Sequence, residues 1–77
     1  MPTIIRHGGF EVAIFANDHR PPHVHVFRAG AEVVIYLAPV RLHENYRMSR
    51  RDVRQAVAIV TTNHDLLLQS WKDIHGT

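Results

Sequence analysis

From His23 to Pro39 the chain reads HVHVFRAGAEVVIYLAP, two alternating stretches rich in β-branched residues on either side of Ala29–Gly30. Alternation with period two marks a strand with one buried face. An Ala-Gly pair between two such runs predicts a tight turn in which glycine takes a positive φ. The turn fixes the register: Arg28 faces Ala31, Phe27 faces Glu32, His25 faces Val34 and His23 faces Tyr36. Val24, Val26, Val33 and Ile35 then share one face, assigned to the core. His23, His25, Phe27, Glu32, Val34 and Tyr36 share the other. A one-residue slip would exchange the faces, and the Val/Ile pattern opposes it.

The same logic organises the rest of the chain. TIIR and FEVAIFA flank His7-Gly8-Gly9 and predict a first hairpin. In it Phe10, Val12 and Ile14 point one way, and Arg6 lies opposite Glu11 as a favourable cross-strand pair. VRLHENYRM, residues 40–48, reads as a polar connection. Ser49 then offers an N-cap with Asp52 three residues on. Val53, Val57, Val60, His64, Leu67, Trp71 and Ile74 follow at spacings of four and three, the seam of an amphipathic helix. The expectation is one long helix over 49–75, kinked near Thr61–Asn63 and stopped by Gly76; Thr62 to Asp65 would also serve to cap a second helix.

An apolar sheet face and an apolar helix seam cover each other. The expected fold is a single α+β domain over residues 1–77: a four-stranded antiparallel sheet of two hairpins (residues 3–38) packed on a long C-terminal helix. Such a helix of about 25 residues runs roughly 37 Å and overhangs a small sheet. Trp71 and Ile74 at its end are therefore expected to meet a second copy, as a homodimer, or another protein.

Composition narrows the function classes. The chain has no cysteine, so thiolate metal sites and disulfides are excluded. No apolar run approaches the ~20 residues of a membrane span, and the opening residues carry no leader pattern. A cytoplasmic location is the expectation. Nine basic residues against seven acidic give a formal charge of +2, too small to imply nucleic-acid binding by itself.

The chemistry concentrates in NDHRPPHVHV, residues 17–26. Alternate strand residues share a face about 6.5–7 Å apart, so His23 and His25 project together. Neutral imidazoles so placed can both ligate a divalent metal such as zinc, or act as an acid/base pair. His19, from the bend before them, is the third candidate metal ligand, and Asp18, Glu32 or Tyr36 can supply oxygen. Pro21 and Pro22 stiffen the bend. Read as an active surface, His23 and His25 are the acid/base candidates, His19 and Tyr36 assist, and Asn17, Asp18, Arg20 and Arg28 bind. Read blandly, the histidines occupy the solvated face of a half-exposed strand. His64 on the helix seam reads as a hydrogen-bonded core histidine; His7, His43 and His75 read as surface or turn residues. Arg47, Arg50, Arg51 and Arg54 crowd the start of the helix, where the dipole favours anions. Their two readings are a binding patch for an anionic partner and a solvated basic face.

The opening MPTIIRHGGF, NDHRPPHVHV, YLAPVRL followed by ENYRMS, and the ending LLLQSWKDIHG together resemble the bacterial family called domain of unknown function 4160. Members look like half of a two-gene cassette. The resemblance implies the toxin of a type II toxin–antitoxin pair, with a small antitoxin-like protein as partner, and places Asn17, His19, Pro21, Pro22, His23 and His25 on the family signature. Three readings follow: a toxin acting on RNA through its histidine face, a non-catalytic module that binds protein or, with its partner, DNA, and a metal-dependent hydrolase using His19, His23 and His25.

Overall fold

The computed structural model describes residues 3–76. Among them one antiparallel sheet runs in simple chain order, β1 (Thr3–His7), β2 (Phe10–Ala13), β3 (His23–Arg28), β4 (Ala31–Leu37) and β5 (Val40–Tyr46), followed by α1 (Arg50–Thr62) and α2 (His64–His75). The α+β class is as expected; the strand count is not. Residues 40–46 form a fifth strand where the sequence reading placed a connection. Its sequence hides it: every residue from Arg41 to Tyr46 is exposed, so no buried alternation marks it. A register irregularity against Val34–Ile35 also interrupts what pattern there is.

The β3–β4 hairpin has the expected register, from Arg28 opposite Ala31 to His23 opposite Tyr36. Its turn holds Ala29 at φ 48° and Gly30 at φ 82°. In the first hairpin Arg6 lies opposite Glu11, with Arg6 Nε 3.6 Å from the Glu11 carboxylate.

One continuous core joins Phe10, Val12, Ile14, Val24, Val26, Val33, Ile35 and Leu37 of the sheet side to Met48, Ala56, Val60, Leu67 and Trp71. Both helices pack on this face, α1 against β4 and β5 and α2 against β4. Ser49 caps α1, its Oγ accepting from the Asp52 N–H at 3.1 Å. The Asp52 carboxylate pairs with Arg28 at 3.3 Å. Arg28 also donates to the Gly8 carbonyl and lies over the Phe10 ring, so it ties the tip of the first hairpin to the start of α1.

The single long helix is corrected to two. Asn63 leaves helical geometry at φ −107°, ψ 22°. The local chemistry accounts for the break: the Thr61 hydroxyl donates back to the Val57 carbonyl at 2.8 Å, and the Asn63 side-chain amide donates to the Ile59 carbonyl at 2.8 Å. Such side chains compete with the helical ladder. His64 Nε2 donates to the Leu37 carbonyl, pinning the break to the end of β4 as a hydrogen-bonded, partly buried histidine. The break also removes the overhang. Trp71 is 1% exposed within this chain's own core and Ile74 packs against it, so neither residue needs a second copy to cover it. No helix is long and apolar enough to cross a membrane among the described residues.

The two tight turns offer a paired test. Gly9 and Gly30 both have φ above +80°, so alanine at either should cost about 1–2 kcal/mol. At Gly9 a Cβ would also stand 2.8 Å from Arg28 Nη1, whereas at Gly30 it meets nothing. Urea unfolding should therefore show Gly9→Ala losing more stability than Gly30→Ala. Equal losses would mean that the Arg28 tie contributes nothing.

Candidate functional site

The face of the sheet opposite the helices is not freely solvated. The connector between β2 and β3, residues 14–22, folds across it. Phe15 and Asp18 close a turn: the Asp18 N–H donates to the Phe15 carbonyl, and the Phe15 N–H donates to Asp18 Oδ2, both at 3.0 Å. The Phe15 ring meets His25 edge-on at 4.8 Å between centroids. From the other side His23 lies 5.2 Å from the Trp71 indole, which in turn stacks on His75 at 3.8 Å. His75 Nδ1 donates to the Trp71 carbonyl at 3.0 Å, so His75 is a packing residue and not a free surface one. The side chains of His23, His25 and Asp18 keep only 13, 16 and 12% of their exposure, which sets aside the reading of His23 and His25 as an ordinary solvated strand face.

Asp18, His23 and His25 converge. One ligand-type atom from each lies within 4.8 Å of the others. His25 Nε2 is 3.1 and 3.2 Å from the two Asp18 oxygens, and His23 Nε2 is 3.5 Å from Oδ1. The outer nitrogens are both engaged: His25 Nδ1 with Glu32 Oε2 at 2.8 Å and His23 Nδ1 with the Pro21 carbonyl at 2.8 Å. A carbonyl only accepts, so His23 carries its proton on Nδ1 and turns the Nε2 lone pair inward. His25 has a carboxylate at each ring nitrogen, Glu32 at Nδ1 and Asp18 at Nε2. The contact between Nε2 and Asp18 is favourable only with a proton or a cation between them; with a proton there, His25 donates to Asp18. Burial by itself raises the Asp18 carboxyl. The Phe15 N–H and the imidazoles of His25 and His23 outweigh burial and hold it below its ordinary range.

The cluster opens on a hollow of about 300 Å³ lined by Asn17, Asp18, His19, Arg20, Tyr36 and His43, among others. His19 and Arg20 reach it as exposed residues of the connector. His19 lies outside the close cluster, so the oxygen of Asp18 stands where a third imidazole nitrogen was expected. Tyr36 stacks on His43 at 4.6 Å, with the Arg41 guanidinium 5.4 Å from its ring centroid. Glu44 completes that wall, accepting from the Tyr46 hydroxyl at 2.6 Å; this bond pushes the Tyr46 hydroxyl up from its ordinary range. His43, Glu44 and Arg41 escaped sequence reading because their strand did. The short alternation of Val40 and Leu42 with Arg41 and His43 was the one signal available.

Other candidates fall elsewhere. Arg28 is committed to Gly8, Phe10 and Asp52 and does not line the hollow. Arg47, Arg50 and Arg51 are exposed about the start of α1 and outside it as well. Arg47 takes φ 71°, in a connection held by two hydrogen bonds between the Asn45 side chain and the Met48 backbone. A larger hollow, about 740 Å³, spans the hairpin tips. Its arginines are already paired, Arg6 with Glu11 and Arg28 with Asp52, and among the described residues the group of three converging ligand atoms lies at the smaller hollow, which is therefore the candidate site.

The family model described as Domain of unknown function (DUF4160) matches residues 9–72. The chain belongs to that family. The DUF4160 match spans the connector, the histidine strand, β5 and most of both helices, and so takes in every residue of the cluster and its hollow. Comparison with curated proteins and with solved structures found no match.

Asp18 gives a pH test. Its folded pKa lies below the ordinary value of 3.8, so the unfolded chain takes up the proton first. The carboxylate's contribution to stability is full above the ordinary carboxyl range and is lost as pH falls through the lowered folded value. Denaturant midpoints measured from about pH 6 down to about pH 2 should fall less steeply in Asp18→Asn than in the parent. Parallel acid limbs would mean that Asp18 is not held as described.

Proposed function

We propose that this DUF4160 chain is a divalent-metal-dependent hydrolase acting on RNA, the toxin half of a toxin–antitoxin pair, with the metal held by Asp18, His23 and His25. One observation carries the metal: both imidazoles have Nδ1 occupied by an acceptor, and both Nε2 atoms face the same carboxylate. Two neutral imidazoles and one carboxylate form a donor set suited to zinc and to other first-row divalent ions. Glu32 behind His25 and the Pro21 carbonyl behind His23 are the outer partners that fix ring orientation in metal sites and raise ligand basicity. Three protein ligands leave coordination positions for water and substrate. A metal in such a site lowers the pKa of bound water and polarises a phosphoryl oxygen.

The chain's own residues supply the rest. Arg20 and Arg41 offer guanidinium groups to phosphate, and Tyr36 and His43 offer aromatic surface. The toxin setting comes from the family resemblance. A cognate antitoxin would neutralise the activity by covering the hollow. A metal-free reading uses the same residues, with His23 Nε2 as acid/base; it is favoured by the Pro21 bond that leaves that nitrogen free to exchange a proton.

Zinc binding separates the two. Tagless protein stripped with a chelator should gain about 2.7 kcal/mol at a hundredfold excess of zinc over Kd, roughly 10 °C or more in melting temperature for a domain this small. His23→Ala, His25→Ala and Asp18→Asn should abolish the gain, Glu32→Gln should weaken zinc about 10- to 100-fold, and His19→Ala should leave it intact. Growth arrest on expression without the partner should vanish in the same three variants. No gain from zinc, with arrest still dependent on His23, would replace the metal reading by the acid/base one. Arrest that ignores all three residues would sink both.

A further inference from the structure

The wall that β5 contributes to the hollow has no part in holding a metal, and its chemistry suits a nucleobase. We infer that β5 forms the subsite for one base of a single-stranded RNA segment, with His43 stacked on Tyr36 as the platform and the Glu44 carboxylate accepting from an exocyclic amino group. This rests on the RNA reading above and goes on to name which bases the site takes.

The two rings are already stacked, 4.6 Å apart and 29° from parallel. The His43 side chain is still 45% exposed, so the stack has surface left for another ring. Sequence-tolerant stacking of this kind is how proteins hold unpaired bases. Glu44 is aimed: one oxygen accepts from the Tyr46 hydroxyl at 2.6 Å, while the other lies 3.8 Å from His43 Nε2, beyond hydrogen-bond reach and free to accept. A carboxylate accepts and does not donate. At the exocyclic position it therefore favours cytosine, adenine or guanine, which carry an amino group there, over uracil, which presents a carbonyl and keeps only its ring N3–H as a donor. Arg20, which lines the hollow, and Arg41 beside Tyr36 suit the flanking phosphates. The hollow is closed on one side by the connector, so a base must leave its helix to enter, which selects single strands.

The test uses the full chain in chelator, so that nothing is cleaved, and fluorescence anisotropy with labelled oligocytidylate and oligouridylate of equal length. The parent should bind the cytidine strand roughly tenfold more tightly. Glu44→Gln, which can also donate, should bring the two within about threefold. His43→Ala should weaken both roughly tenfold while keeping the parent's melting temperature and its zinc response, since His43 stands on an exposed edge strand. Equal affinity of the parent for the two strands, or unchanged binding in His43→Ala, overturns the subsite. Binding of neither strand, with the zinc response intact, overturns the RNA reading and leaves the metal centre standing. Base-selective binding without any zinc response supports the subsite and removes the metal.

Discussion

The turn at Ala29–Gly30 decides which residue of β3 stands beside which residue of β4, and every later feature inherits that choice. With Arg28 opposite Ala31, Val24, Val26, Val33 and Ile35 all fall on one side and are fully buried. The same pairing sends His23, His25, Glu32 and Tyr36 to the other side. A shift by one residue would bury two imidazoles under the helices and expose four β-branched side chains. At about 25 cal/mol per Å² of apolar surface, that exchange exceeds what a domain of this size has to spare.

The polar face is then built by a second device, the connector over residues 14–22. It brings Asp18 to His25 by closing a turn on Phe15, and it brings Pro21 to His23. Ordering nine residues opposes folding through lost backbone entropy. Hydrogen bonds to the charged carboxylate offset part of that cost, each contributing about 1.5–3 kcal/mol, and so does the edge-on packing of Phe15 on His25. Asp18 therefore pins the connector and brings its carboxylate to both imidazoles through the same contacts. The Trp71 indole supports the arrangement from the far side. Through it α2 reaches His23.

Two edges of the structure explain why part of the site was unreadable. His43 and Glu44 belong to a strand exposed along almost its whole length, and an exposed edge strand leaves no burial pattern to find. Arg28 looked available for phosphate because it neighbours the histidine strand in sequence. Its side chain instead follows the core-side alternation of Val24 and Val26 and ends on Asp52 of α1. His19 and Asp18 are adjacent in the chain, and only the turn geometry chooses between them. Asp18 is drawn in by the Phe15 N–H, while His19 stays exposed on the rim.

The sequence by itself determined the class of fold, the register of the second hairpin, the Arg6–Glu11 pairing of the first, the core face, the Ser49 cap and the joint projection of His23 and His25. All of these follow from local periodicity and turn chemistry, in which each residue's environment is set by neighbours a few positions away. Tertiary structure decided the fifth strand, the break at Asn63, the burial of Trp71, the choice of Asp18 over His19 and the wall of the hollow that His43 and Glu44 supply. The break and the choice of Asp18 begin in local hydrogen bonds, Thr61 to Val57, Asn63 to Ile59 and Phe15 to Asp18, but their place in the fold depends on groups far apart in the chain: His64 on the Leu37 carbonyl, His23 on Trp71, Tyr36 on His43. No period in the sequence encodes such pairs, because they form only when the sheet, the connector and the two helices have closed on one another.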